Sequence, residues 1–297
     1  MAFLHGPTRP TSTLRSLLGR PEPLLAAGAY DALSARLVEA AGFDAVYLTG
    51  FGASASLLGR PDVGLLTATE MVGHVGRLAA AVQVPLIADA DTGYGNPLNV
   101  IRTIQDYERA GVAALHLEDQ AAPKKCGHMA GKVLVPAAEH AARIRAAVAA
   151  RTDPDLVLIA RTDARAGEGL DAAIDRCRRY ADAGADVLFL EAPQSMQEID
   201  RVATELAGHP LLFNWVEGGR TPPVSLAELA DRGFRLVIYP VSALLAATRA
   251  VRRTVESIRA TGTPEAAMAD GSLDTFEEFV SFIGLPEIYE LEQRFLS

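Results

Sequence analysis

Short apolar runs alternate with amphipathic helical patterns eight times along this chain, and that alternation restricts its fold more than anything else in the sequence. The runs fall at 24–28 (LLAAG), 44–48 (DAVYL), 85–90 (PLIADA), 113–118 (AALHLE), 156–161 (LVLIAR), 186–191 (DVLFLE), 211–215 (LLFNW) and 235–239 (RLVIY). Short, continuous runs without polar alternation suit strands buried on both faces. Between them, helical patterns cover Ala32–Ala41, Thr69–Val82, Pro97–Ala110, Pro136–Ala150, Leu170–Ala183 and Ser195–Ala207. Pro97 and Pro136 mark starts, while Gly42, Gly111, Gly184 and Gly208 follow ends. Eight consecutive units predict a (β/α)8 barrel, with a doubly wound open sheet as the alternative. The polar residues favour the barrel. Asp89 and Asp91, His116 and Glu118, Arg161 and Asp163, Glu191 and Asn214 all gather at strand C-termini, which a barrel brings to one mouth.

The longest strand-to-strand intervals follow the second and fourth strands, so 49–66 and 119–135 are expected to be active-site loops. After residue 260 the pattern changes to two or three further helices, making 261–297 a helical extension of a single-domain chain. Their apolar residues (Phe276, Phe279, Phe282, Ile283, Leu285, Tyr289) predict packing between subunits. The chain has 297 residues and a formal charge of −9. Without a basic stripe to neutralise phosphates, nucleic-acid binding is not expected. No run of about 18 apolar residues suggests a membrane span, and the N-terminus does not read as a signal peptide. Cys126 and Cys177 are the two cysteines, which fits a reducing cytoplasm rather than a disulfide framework. Cys177 lies at a core-facing helical position, and His5, His74, His140 and His209 have no evident functional partner.

Three segments carry chemistry. In Asp89-Ala90-Asp91-Thr92-Gly93-Tyr94-Gly95, two carboxylates two residues apart point to the same side of a strand. They repel unless a cation lies between them, and Mg2+ is the usual one. Loop capping by Asp is the plainer reading. The DxDxG resemblance to a calcium loop fails for want of the acidic twelfth position. His116-Leu117-Glu118 repeats the spacing, with Glu118 placed to reach a metal through water. Asp62 sits in the preceding long loop. Arg161 offers a fork that matches a substrate carboxylate, or a structural pair with Asp163. Finally, Lys124-Lys125-Cys126-Gly127-His128 sets a thiol among basic groups, which favour thiolate. Together these suit bond breaking next to a carboxylate, with the thiol giving or taking a proton.

ADADTGYGN, LHLEDQ, KKCGH and ARTDA, in this order and spacing, resemble the isocitrate lyase/phosphoenolpyruvate mutase superfamily. The likeness runs from Tyr30 through Tyr239 into the TFEEF tail. SASLLG, the KKCGHM run and NWVEGG-TP resemble most the 2-alkylmalate (dimethylmalate) lyase and petal death protein branch, with methylisocitrate lyase close by. The resemblance implies a barrel, Mg2+ (or Mn2+), a small anionic carboxylate substrate and a homotetramer that exchanges a C-terminal helix. It implies Asp91 as direct metal ligand, with Asp89 and Glu118 acting through water; Asp62, on the residues alone, is a further metal candidate or a turn residue after Pro61. Thr49, Gly50, Phe51, Arg161, Glu191, Asn214, Gly127 and His116 would hold substrate, and Ser242 would tune its choice. Cys126 would be the proton donor, supported by Lys125 and His128, with Tyr47 or a metal-bound water as base. The implied reaction cleaves a 2-hydroxy di- or tricarboxylate between C2 and C3. A phosphonomutase-type C–P enzyme and a non-catalytic binding member are the alternatives.

Overall fold

A computed structural model of the chain describes residues 9–127 and 129–296. Eight parallel strands close into a barrel in sequence order: β1 (Leu24–Ala29), β2 (Ala45–Leu48), β3 (Leu86–Asp89), β4 (Ala114–Glu118), β5 (Val157–Thr162), β6 (Val187–Leu190), β7 (Leu211–Asn214) and β8 (Phe234–Tyr239), with β8 pairing back onto β1. Each strand lies within a residue or two of the run that predicts it. The (β/α)8 expectation holds and the open sheet is excluded.

Two apolar layers follow from the period of two along each strand. Ala26, Ala45, Tyr47, Ile87, Ala114, Val157, Ile159, Val187, Phe189, Leu212, Leu236 and Ile238 fill the barrel interior. The alternate residues, such as Leu48, Leu86, Leu115, Leu117, Leu158, Ala160, Leu188 and Leu190, pack in the outer layer with helix residues such as Val75, Ile104, Ile144, Ile174 and Tyr180. Continuing the inward rows by one step places Thr49, Asp89, Glu118, Arg161, Glu191 and Asn214 at the C-terminal mouth. Register aligns them, with Asp89 opposite His116 and Glu118 opposite Arg161.

Helix Pro10–Leu18, which the apolar pattern did not signal, supplies Leu14 and Leu17 to the inner layer. Arg15 fastens it by donating to the carbonyls of Pro154, Asp155 and Leu156 and to the Asp186 carboxylate. The 49–66 interval is not the open loop expected. It contains helix Gly50–Leu58, whose N-terminus Thr49 caps by accepting the Gly52 N–H. Two glycines and two serines in GFGASASLL weaken the helical signal there.

The described residues divide into two compact units, one running to Ser242 and the other from Ala243. The division falls earlier than the change of sequence pattern at 261, because most of the long helix Ser242–Thr261 belongs to the second unit. In that unit only Ala267 and Leu291 are buried among the apolar residues, and Phe276, Phe279, Ile283, Tyr289 and Phe295 are exposed. Among the described residues no helix is long and apolar enough to cross a membrane.

The Leu14 side chain is wholly buried in the inner layer. Leu14→Ala is therefore expected to cost about 2–5 kcal/mol of stability, read from urea unfolding. A loss under about 0.5 kcal/mol would contradict its place in that layer.

Candidate active site

The barrel mouth gathers six carboxyl groups, Asp62, Asp89, Asp91, Glu118, Asp163 and Glu191, around three cations, Lys124, Lys132 and Arg161. Strand geometry supplies most of them. Asp89 ends β3, and the chain turns at Asp91 with φ 48°, a left-handed conformation uncommon outside glycine. Asp89 Oδ1 accepts the Asp91 N–H at 2.9 Å and its Oδ2 accepts the Gly50 N–H at 3.2 Å. Gly50 has to be glycine here, since a Cβ would lie 2.4 Å from Asp89 Oδ2. The N-terminus of helix Gly50–Leu58 thus faces an anion, as its dipole favours.

Lys124 is the cation nearest the centre of this cluster. Its Nζ lies 2.6 Å from Asp62 Oδ1 and 2.7 Å from Asp91 Oδ1, and the side chain is 5% exposed. Burial disfavours its charge, but Asp91, Asp89, Glu118 and Asp62 outweigh that and hold it firmly as an ammonium. Burial pushes the Asp91 carboxyl up to about 6 against the pull of Lys124, with Asp89 and Asp62 adding repulsion. Burial also acts on Asp89, yet His116, Lys124 and Arg161 prevail and hold it below the usual carboxylate range. Glu118 is raised well above its ordinary value by burial, with Arg161 and Lys124 opposing.

Arg161 is held from several sides. Asp163 accepts from its Nε at 2.9 Å and from Nη2 at 3.1 Å, while Glu118 and Glu191 each lie 3.4 Å from it. Its guanidinium stacks 5.1 Å over the Phe189 ring. Asn214 donates to both Glu191 oxygens. Tyr47 Oη and His116 Nε2 are 2.8 Å apart, and that nitrogen lies 3.6 Å from Asp89. Burial lowers His116, with Asp89 pulling the other way. Burial raises the Tyr47 phenol well above its ordinary value, with Asp89 adding to it. A phenol so held favours its protonated form.

The 119–135 loop has a closed base and a tip lying on the mouth. Ala121 N donates to Val133 O and Val135 N to Asp119 O, with a bridge between Gln120 and Leu134. The Asp119 side chain, which faces away from the interior, accepts from Thr162, Arg176 and Tyr180. Gln120 brackets the Lys125 backbone, accepting its N–H and donating to its carbonyl. The half-buried Cys126 donates its N–H to Asp62 O at 3.2 Å. At Gly127 a Cβ would lie 2.4 Å from Arg161 Nη2 and 2.7 Å from Glu191. The glycine permits this close approach.

Most of the expected site residues therefore converge: Asp62, Asp89, Asp91, Glu118, His116, Tyr47, Thr49, Gly50, Arg161, Glu191, Asn214, Cys126 and Gly127. Phe51 is half-buried in the first turn of the helix after Thr49. Lys125 differs from expectation. Its Nζ donates to the Gly131 carbonyl, and its neighbour Lys124 enters the carboxylate cluster instead. Ser242 donates to Glu217 at an exposed position, and His128 lies outside the described residues. Sequence reasoning passed over Lys132, whose ammonium contacts Asp163 at 2.7 Å. The signal available for it was its place at the end of the same basic loop.

Two features of the donor set bear on a metal. Glu118 Oε1 is buried without a hydrogen-bond partner, and carboxyl groups outnumber cations. Among the described residues, no three His, Cys, Asp or Glu side chains converge to ligate an ion by themselves. Mg2+ does not require that, because it keeps several waters and takes one or two carboxylates. The residues fit such an ion.

Comparison with known proteins agrees with this geometry. The phosphoenolpyruvate phosphomutase family model matches residues 14–259. The 2,3-dimethylmalate lyase of Eubacterium barkeri is 45% identical over 282 residues, covering 95% of this chain and 96% of that one. A solved oxaloacetate acetylhydrolase bound to 3,3-difluorooxalacetate superposes with a TM-score of 0.90 at 39% identity, covering 97% of this chain and 98% of that chain. A phosphonopyruvate hydrolase solved with oxalate and Mg2+ gives 0.87 at 33% identity, covering 97% and 99%. The ordered motifs, the closed barrel, the mouth cluster and these matches lead to one conclusion: the chain belongs to the phosphoenolpyruvate phosphomutase family, within the PEP mutase/isocitrate lyase superfamily.

Proposed function

We propose that the chain is a Mg2+-dependent carbon–carbon lyase, with Mn2+ able to substitute. It cleaves a 2-hydroxy di- or tricarboxylate of the 2-alkylmalate, methylisocitrate or oxaloacetate class. The products are a 2-oxo acid, or oxalate, and a carboxylic acid. The observation that carries this reading is the loop tip, which sets Cys126 and Gly127 against Asp62, Arg161 and Glu191 at the mouth. Its relatives act in the same sense, since dimethylmalate lyase and oxaloacetate acetylhydrolase are named for carboxylate cleavage.

Asp91 would hold the ion directly, and Asp89, Glu118 and Asp62 would act through its waters. When bound, the ion supplies positive charge for the 2-oxo acid edge. Arg161 has its Nε side fixed by Asp163, and its remaining N–H groups take a substrate carboxylate. Tyr47 and His116, hydrogen-bonded to each other, line the interior side, and Thr49, Gly50 and Phe51 bound the pocket where their helix begins. Glu191 and Asn214 orient one another opposite them. A water at the mouth takes the C2 hydroxyl proton, C2 becomes a carbonyl as the C2–C3 bond breaks with its electron pair on C3, and the Cys126 thiol protonates that carbon, leaving a thiolate that the abstracted proton restores. The loop lying on the mouth excludes water from the carbanion. In this reading the enzyme works in the reducing cytoplasm as a homotetramer, with the exposed apolar face of the C-terminal helices covered by an exchanged helix of another copy.

A C–P reading is favoured by the phosphomutase description of the matching family and by the likeness to a phosphonopyruvate hydrolase. 31P NMR with phosphonopyruvate separates the two. A panel of 2-alkylmalates, methylisocitrate and oxaloacetate is expected to show turnover of at least one substrate, lost with EDTA and restored by Mg2+. No turnover of the panel alongside phosphonopyruvate conversion would replace the lyase reading with the C–P one. Cys126→Ser is expected to lose turnover by about a hundredfold or more, the range for removing a positioned acid, while calorimetry shows Mg2+ binding retained. Wild-type turnover in that variant would remove Cys126 from the reaction.

A further inference from the structure

Lys132 takes no part in the bond-breaking step, yet its ammonium is shared between two functional elements. It donates to Asp163 Oδ1 at 2.7 Å and to the carbonyl of Gly127, and its side chain is 5% exposed. Asp163 is the same carboxylate that fixes Arg161 through Nε and Nη2. Gly127 lies close against Arg161 and Glu191, and it follows Cys126 directly. A structural ion pair would need only the first contact. The second ties the anchor of the substrate-facing arginine to the backbone that carries the thiol.

We propose that Lys132 is a positioning residue that sets Cys126 in register with Arg161 by bridging Asp163 and the Gly127 carbonyl. The inference rests on the reading of Cys126 as the acid. Charge supports the arrangement, because Asp163 faces both Arg161 and Lys132 and is held down to about 2 by them despite its burial. The remaining loop contacts make the role separable from folding. The base is closed by the Ala121–Val133 and Val135–Asp119 backbone bonds, and Gln120 holds Lys125. None of these involves Lys132, so its loss releases the Gly127 carbonyl from Asp163 while the base, and the Lys124 and Cys126 contacts with Asp62, stay in place. Small displacements of a reacting group cost much in rate, about a hundredfold for 1 Å.

The test uses the full-length protein with Lys132→Met and Lys132→Arg, and reads alkylation of Cys126 by iodoacetamide, kcat and KM, and Tm. Cys177 is wholly buried, so mass spectrometry assigns the reactive thiol. In the Met variant, Cys126 alkylation is expected to rise about tenfold as access increases. On a turned-over substrate, kcat should fall about a hundredfold with KM within about threefold. The Arg variant should recover part of both, and Tm should be unchanged. Wild-type alkylation and kcat in Lys132→Met would overturn the proposal, as would losses that merely track a lowered Tm. Faster alkylation in a protein whose wild type turns over no panel substrate would uphold the bridge and count against the lyase reading.

Discussion

The constraint on which the rest of the molecule depends is the crowding of carboxyl groups at the C-terminal end of the barrel. Closing eight strands brings Asp89, Glu118 and Glu191 onto one ring, and the following loops add Asp62, Asp91 and Asp163. Such a set in a buried site is unstable without compensating charge. Lys124 answers Asp62 and Asp91, and Arg161 answers Glu118, Asp163 and Glu191. The loop is drawn to the mouth by the same attraction, because Lys124 and Lys132 both come from it. Charge compensation and placement of the thiol are therefore one event.

The compensation is left incomplete by the residue set itself. Three cations face six carboxyl groups, Asp91 and Glu118 are pushed upward by burial, and Glu118 keeps an unpartnered oxygen. A divalent cation, as proposed, would complete the balance and add charge where negative charge develops in the reaction. Lys124 then has a clear physical meaning. Its short contact with Asp91 would make it a competitor for an ion held there as proposed.

Much of this is legible in the sequence, for physical reasons. Strand interiors are read from apolar runs, and the period of two carries forward to the mouth, so the spacing alone places Asp89, His116, Glu118 and Arg161. The helix Gly50–Leu58 is hidden by its glycines and serines, and Pro10–Leu18 by its polar face. The division of labour between Lys124 and Lys125 cannot be read from their adjacency. It depends on the loop path, which Gln120 and the closed base determine. Lys132 escapes notice because its partners lie 5 and 31 residues away in sequence, and only the folded loop brings them together.

Calorimetric titration of the metal-free protein with Mg2+ across pH tests the central claim most directly. Burial pushes the Asp91 carboxyl up to about 6, so if Asp91 holds the ion as proposed, a proton would have to leave it below that pH. Affinity is expected to be high and nearly flat above about pH 7 and to fall by up to about tenfold per unit below about 6. Absence of Mg2+ binding at about pH 7.5, or an affinity unchanged down to about pH 5, would contradict the account.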